Sequence, residues 1–268
     1  LHVGHFDGER IRILKTAREP VRLGAGMDSR GKLTAQAMQT ALACLGRFSD
    51  ILRNSQLSAV RVVGTNTLRI AKNSEAFLPL AEKAIGYPIE IISGEEEGRL
   101  IYLGVASTLD APNERRLVVD IGGGSTELVL GQGNQIEDVQ SFGIGTVRTA
   151  LEFFPNDRIT EASFSKAALH ARSLFEDNLD AFHPRLWTVA YGSSGTMRTL
   201  AELIKNNELG DGSLSLKSLR ALRDCLIGCG RMSKVDLIGI KPDRIAVVLG
   251  GLPVLIGLHE ELGIREML

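Results

Sequence analysis

The chain has 268 residues, of which 44% are hydrophobic and 24% charged, and its formal net charge at pH 7 is -1. These values are typical of a soluble protein with a real core, and the small net charge excludes attraction of polyanions by the overall field of the molecule. The length suits one large domain or two medium ones. The 3 cysteines are not spaced as metal ligands, and no apolar stretch approaches the length needed to span a membrane. We therefore predict a cytoplasmic protein.

From the N-terminus, strands and helices alternate, a pattern that predicts an α/β fold. The first half begins with a strand meander, in which Asp7-Gly8 marks a hairpin turn, and Thr34 then caps a long helix. Acidic side chains open the helix after Ser93-Gly94, where they face the positive end of the helix dipole. The predicted strands are 2–3, 11–14, 20–23, 59–63 and 88–92, and the predicted helices are 34–53, 74–85 and one that starts at residue 95.

The second half continues the alternation and ends in an apolar, mostly helical tail. Its predicted strands are 117–121, 126–131, 135–141 and 187–191, and its predicted helices are 161–179, 195–206, 215–231 and 242–262, the last interrupted at Gly250-Gly251. A polar connector over 103–116 separates the halves. We therefore predict two domains, residues 1–103 and 104–268.

The segment 118–130 is the most informative part of the chain, because two short apolar runs flank Asp120 and the glycines 122–124. The glycines permit a tight turn and leave backbone N–H groups uncovered, which suits a bound phosphate. Ser125 and Glu127 are two residues apart and point to the same side, while Asp120 can hold a divalent cation. A glycine-rich hairpin at a barrel corner is the structural alternative, but the acid and hydroxyl around the glycines favour phosphate chemistry.

Four clusters of residues between 64 and 198 carry a resemblance to a known family. They are Gly64-Thr65-Asn66-Thr67-Leu68-Arg69-Ile70-Ala71, Ile92-Ser93-Gly94-Glu95-Glu96-Glu97-Gly98-Arg99-Leu100, the glycine hairpin at 120–127, and Tyr191-Gly192-Ser193-Ser194-Gly195-Thr196-Met197-Arg198. In this order and spacing they resemble the exopolyphosphatase/guanosine-pentaphosphate phosphatase (Ppx/GppA) family, over essentially the whole chain. That family belongs to the actin/sugar-kinase/chaperone ATPase superfamily.

The resemblance implies two ribonuclease-H-like domains that flank an interdomain cleft. It also implies hydrolysis of a terminal phosphoanhydride by a water molecule, assisted by Mg²⁺ or Mn²⁺. Inorganic polyphosphate is the expected substrate and guanosine pentaphosphate the alternative. No DNA or membrane partner is expected, and a homodimer is left open.

The resemblance also implies roles for individual residues. Glu97 would orient and deprotonate the attacking water, Glu127 would be a second acid near the metal or the water, and Asp120 would hold the cation. The phosphate groups would be bound by Gly122, Gly123, Gly124, Ser125, Arg69, Arg22 and Gly195. From the residues alone, the three adjacent glutamates are more typical of a solvated helix start, and Arg69 of a surface arginine. The loop around Gly195 could equally well bind a ligand or form a wall without ligand contact.

One departure from the family concerns the beginning of the chain. Family members open with a strand and an Asp-x-Gly-Ser-Asn-Ser loop, and this chain begins just after the point where that loop should end. We therefore expect the natural protein to be longer. An ATP-using kinase of the same superfamily and a non-catalytic sensor of polyphosphate or an alarmone remain the alternative functions.

Overall fold

The structure, a computed structural model, describes residues 1–8, 11–178 and 180–268. It divides the chain into two compact units, Leu1–Ser93 and Gly94–Leu268. The predicted boundary after residue 103 lies inside the helix Gly94–Ala106, which packs against strands of the second unit and belongs with them. The polar connector that suggested the later boundary joins this helix to the next strand of the same unit.

The first unit consists of short strands and helices. Its elements are β1 (His2–Phe6), β2 (Ile11–Thr16), α1 (Ala35–Arg53), β3 (Val62–Gly64), α2 (Asn66–Ile70), α3 (Ser74–Ile85) and β4 (Ile89–Ile91). β1 and β2 form an antiparallel hairpin, and β3 and β4 form a parallel pair. α1 packs against α3, and Phe77 and Ala81 of α3 lie in the core of this unit.

Two predictions about local structure in this unit have opposite outcomes. The cap of α1 is confirmed, since the Thr34 side chain accepts a hydrogen bond from the Ala37 amide. The predicted strand at 20–23 is wrong, because Arg22 takes a left-handed conformation with φ 53° and leads into a 3-10 turn, Leu23–Gly26. Pro20 also lacks the N–H group that a strand ladder needs.

The second unit is built around a four-stranded sheet. Its elements are α4 (Gly94–Ala106), β5 (Arg115–Ile121), β6 (Thr126–Gln132), β7 (Gln135–Phe142), α5 (Thr146–Phe153), α6 (Glu161–Phe175), β8 (Val189–Ser193), α7 (Gly195–Asn206), α8 (Leu216–Cys229) and α9 (Ile245–Leu262). The strand order is β7-β6-β5-β8. β5, β6 and β7 form an antiparallel meander, whereas β8 runs parallel to β5. This arrangement confirms the predicted α/β class and matches a ribonuclease-H-like sheet.

α9 is the central helix of the second unit and runs without a break through Gly250-Gly251, where we predicted an interruption. Both glycines are buried, because they let neighbouring elements approach closely: a Cβ at Gly250 would clash with the Thr146 carbonyl, and one at Gly251 would lie 2.5 Å from Thr196 Cγ2. Tertiary packing against α5 and α7 therefore overrides the low helix propensity of glycine.

The same tail also corrects the prediction about membrane-spanning length. Pro242–Leu262 has 21 residues and a mean hydropathy of 1.6, so by length and composition it could cross a membrane. However, 72% of the most apolar 18-residue stretch of this helix is buried inside the protein, as in the core helix of a soluble domain.

Smaller differences concern the ends and number of the helices. α5 was not predicted, because its buried side chains are the small Thr146, Thr149 and Ala150 rather than large apolar residues. α6 ends at Phe175, before a 3-10 turn, and residue 179 of its predicted span lies outside the described residues.

Candidate active site of the second unit

The register of the sheet brings four polar residues into one row at the C-terminal end of β5. Ser141 of β7 pairs with Glu127 of β6, Glu127 pairs with Asp120 of β5, and Asp120 pairs with Ser193 of β8. Residues that lie directly opposite each other on neighbouring strands project to the same face of the sheet. The row therefore places two acids side by side, with hydroxyl-bearing residues on either flank.

Asp120 is the acid most perturbed by this arrangement. Burial and, after it, the negative charges of Glu127 and Glu97 together raise its pKa from 3.8 to about 7, while a hydrogen bond with the Ser194 hydroxyl partly opposes the shift. Its Oδ1 atom is buried and has no hydrogen-bond partner within the described residues. A buried carboxylate among other acids is costly to ionise unless a cation lies beside it.

These features fit a hard divalent cation such as Mg²⁺ or Mn²⁺, which prefers carboxylate oxygens. Among the described residues, no group of three or more His, Cys, Asp or Glu side chains is arranged to hold a metal ion. A cation at Asp120 would therefore take most of its ligands from water or from a bound substrate, as Mg²⁺ commonly does.

Glu127 is more deeply buried than Asp120, with only 1% of its surface exposed. The Ser141 hydroxyl donates a hydrogen bond of 2.8 Å to its Oε1 atom. Because a hydroxyl that donates to a carboxylate stabilises the charged form, this bond offsets part of the cost of burying Glu127.

Glu97 lies in the first turn of α4, and its charge is among those that raise the pKa of Asp120. Its neighbour Glu96 forms an ion pair with Arg99 at 2.6 Å. Close packing of α4 on the sheet explains the position of Glu97, because a Cβ at Gly98 would lie 2.9 Å from Val139 Cγ1. The structure thus distinguishes Glu97 from Glu96, which the residues alone could not do.

The glycine turn between β5 and β6 is held by its own backbone and by the start of α5. The Gly122 amide donates to the Ser125 carbonyl at 2.9 Å, so it closes the turn, and this revises its expected role as a phosphate donor. The amides of Thr146 and Val147 donate to the carbonyls of Gly122 and Gly123 at 2.9 and 2.8 Å. Helix α5 therefore fixes the orientation of the peptide groups in the turn.

Two amides of the turn keep their donors available. Those of Gly123 and Gly124 donate to no acceptor in the part of the chain that the structure describes. Gly123 is exposed and Gly124 partly exposed, whereas the Ser125 side chain is 4% exposed. Successive uncovered amides in a tight turn form a concave site for an anion.

Gly195 begins α7 just beyond β8, next to a strained residue. Ser194 has φ 115° and ψ 161°, a backbone conformation that is costly for any residue except glycine. Its hydroxyl accepts hydrogen bonds from the amides of Thr196 and Met197, which caps the helix. The Gly195 carbonyl accepts a hydrogen bond of 2.8 Å from Arg244.

Sequence reasoning missed Ser141 and Arg244 as part of this site. It included Ser194 in the fourth cluster without a role, although a serine before a predicted helix is a preferred N-cap. Ser141 and Arg244 carried no such signal, because strand register and packing across 49 residues place them.

Two predicted phosphate ligands, Arg22 and Arg69, belong to the first unit rather than to the unit that carries the acids. Arg69 lies on α2, and its Nη1 donates to the Ile92 carbonyl at 2.9 Å. Arg22 precedes the 3-10 turn Leu23–Gly26. Both side chains are thus placed by the local structure of the first unit.

Comparison with known proteins identifies the family. The model of the Ppx/GppA phosphatase family matches residues 3–268. An exopolyphosphatase from Cytophaga hutchinsonii is 25% identical, with a TM-score of 0.86, over 99% of this chain and 88% of that one. An exopolyphosphatase-like protein is 25% identical, with a TM-score of 0.84, over 96% and 82% of the two chains.

A third solved structure has the same fold at slightly lower identity. The Ppx/GppA enzyme of Aquifex aeolicus is 24% identical, with a TM-score of 0.79, over 100% of this chain and 90% of that one. The α/β fold class implied by the resemblance is thereby confirmed. The match of the family model over nearly the whole sequence shows that this chain belongs to the Ppx/GppA phosphatase family.

Proposed function

We propose that the protein hydrolyses the terminal phosphoanhydride bond of inorganic polyphosphate and releases orthophosphate, with Mg²⁺ or Mn²⁺ as its cofactor. The main support is the position of Asp120 and Glu127 in one row, directly beside a glycine turn with available amides. Membership of a phosphatase family supports the reaction class, and exopolyphosphatases are among the solved structures of similar fold.

Substrate binding in this proposal relies on the glycine turn and on Asp120. The amides of Gly123 and Gly124, with the Ser125 hydroxyl, hold the oxygens of the terminal phosphate. Asp120, whose buried Oδ1 atom has no hydrogen-bond partner in the described residues, would hold the cation. A cation bound there would polarise the phosphoryl group and offset the charge that develops on the leaving oxygen.

Glu97 is the proposed general base. It is partly exposed on the first turn of α4, whereas Glu127 is 1% exposed and already accepts a hydrogen bond from Ser141. The Glu97 carboxylate accepts a proton from water as the water oxygen bonds to the terminal phosphorus. The bridging P–O bond breaks, and the shortened polyphosphate leaves with the electron pair of that bond.

Guanosine pentaphosphate offers the same terminal phosphoanhydride, and no described residue favours it over polyphosphate. A comparison of orthophosphate release from the two substrates would therefore decide the preference. The assay should use the full-length protein, with Mg²⁺ in one arm and EDTA in the other.

The base assignment can be tested by Glu97→Gln, which preserves the size of the side chain and removes its basicity. General-base catalysis contributes about 10²- to 10⁴-fold to a rate, and we expect a loss of kcat in that range. Glu95→Gln is the matched control on the same helical turn and should retain activity. Undiminished phosphate release by Glu97→Gln would show that another group accepts the proton. Tight binding of polyphosphate by the wild-type protein without any turnover would instead indicate a sensor.

A further inference from the structure

Ser141 lies on β7, two strands away from Asp120 on β5, and among the described contacts it touches neither Asp120 nor the glycine turn. Its position is nevertheless specific, because it pairs directly with Glu127 across the β6–β7 ladder. The side-chain hydrogen bond of 2.8 Å between them lies within the normal range for O–H···O bonds. Only a change of strand register or of the side chain itself would break it.

The burial of Glu127 gives this bond a larger role than a surface hydrogen bond would have. Glu127 is 1% exposed, so water offers little compensation for its charge. On the side of α4, the backbone at Gly98 approaches Glu127 so closely that an added Cβ would lie 3.4 Å from Glu127 Cβ. A donated hydrogen bond therefore does much to hold this side chain in one rotamer.

The order of the strands in the sheet connects the position of the Glu127 side chain to the proposed cation site. Glu127 lies directly opposite Asp120 on the neighbouring strand, so its negative charge is presented to any cation that Asp120 holds. Groups that orient a ligating or neighbouring carboxylate tune metal affinity without touching the metal.

We propose that Ser141 is a positioning residue that holds the Glu127 carboxylate beside Asp120 and thereby sets the affinity of the site for its divalent cation. This inference rests on the proposed function, since it assumes that the cation site lies at Asp120. It assigns a role to a residue that the proposed function does not use.

The first test is direct binding of Mn²⁺, followed by electron paramagnetic resonance, to the full-length protein without substrate. Loss of a group that orients a metal-site carboxylate costs about 10- to 100-fold in metal affinity, and we expect Ser141→Ala to weaken Mn²⁺ binding by that factor. Ser141→Thr keeps the hydroxyl on a strand and should restore most of the affinity. Ser173→Ala removes an exposed hydroxyl on α6 and serves as the control.

The second test separates positioning from a general loss of structure. In phosphate-release assays at increasing Mn²⁺, Ser141→Ala should need about 10- to 100-fold more cation for half-maximal rate and recover most of its kcat at saturation. Unchanged Mn²⁺ affinity in Ser141→Ala, or loss of activity only in step with loss of folded protein, would overturn the proposal. Absence of Mn²⁺ binding by the wild-type protein would overturn it as well.

The outcomes also separate this inference from the proposed function. A wild-type protein that binds Mn²⁺ but hydrolyses neither polyphosphate nor guanosine pentaphosphate refutes the function, while a weaker Ser141→Ala still supports the positioning role. An active wild type with a Ser141→Ala variant of equal Mn²⁺ affinity refutes the positioning role alone.

Discussion

The contact between Gly145 and the glycine turn provides the sharpest test of how the proposed phosphate site is built. A Cβ at Gly145 would lie 2.5 Å from the Gly124 nitrogen and 2.6 Å from the Gly123 carbonyl carbon. Both atoms are backbone, so no side chain can rotate away to make room. The φ of Gly145 is -157°, an extended conformation open to any residue, and the effect of Gly145→Ala is therefore steric.

The size of the effect follows from these distances. Ordinary van der Waals contact begins near 3.4 Å, so α5 and the turn must separate by about 0.9 Å to accept the methyl group. Overpacking of this kind costs about 1–3 kcal/mol of folding stability. The same shift strains the hydrogen bonds from Thr146 and Val147 that orient the turn, and a misplacement of about 1 Å can reduce a rate about 100-fold.

The assay for Gly145→Ala is orthophosphate release from long-chain polyphosphate with Mg²⁺, accompanied by thermal unfolding to establish that the variant is folded. Gly143→Ala is the matched control, because a Cβ at Gly143 would meet nothing within 4 Å. We expect a folded Gly145→Ala with about 100-fold lower activity and a nearly unchanged Gly143→Ala. Equal activity of both variants would refute the idea that the contact with α5 orients the turn.

Three further predictions concern stability. In the metal-free protein the pKa of Asp120 is about 7 rather than 3.8, so the folded state binds this proton more tightly than the unfolded state does. The free energy of unfolding should therefore fall as pH rises from 3.8 to about 7. Urea unfolding between about pH 4 and pH 8 should show this fall in the wild type but not in Asp120→Asn. Burial lowers the pKa of His259 from 6.5 to about 4, so the free energy of unfolding should fall as pH drops through that range. Urea unfolding should show a smaller fall in His259→Gln than in the wild type. Thr34→Ala should cost about 1 kcal/mol in urea unfolding at neutral pH, because it removes the cap of α1.

The acid-bearing hairpin could be predicted from the sequence because its signals are local. Short continuous runs of apolar residues define β5 and β6, and the glycines 122–124 mark the turn between them. The strands at 117–121 and 126–131 are confirmed to within a few residues, and they bring Asp120 and Glu127 into direct register. The grouping of these acids follows from that register.

Other parts of the site depend on contacts between distant segments. The internal hydrogen bond of the Gly122 amide depends on the exact turn geometry, and the hydrogen bond from Ser141 to Glu127 depends on the β6–β7 register. The unbroken α9 depends on close packing of Gly250 against Thr146, which helix propensity does not include. The assignment of α4 to the second unit likewise depends on its packing on the sheet.

The hairpin that carries Asp120 and Glu127 also constrains how the site can move. The strands are joined by the short turn 122–125 and paired along their length, so the two acids shift together as one rigid body. Glu97 stands on a separate element, α4, whose backbone at Gly98 packs closely against Val129 and Val139. A slide of α4 at this helix–sheet contact would therefore move the proposed base relative to the two acids, and the absence of a side chain at Gly98 is what allows the approach to be so close.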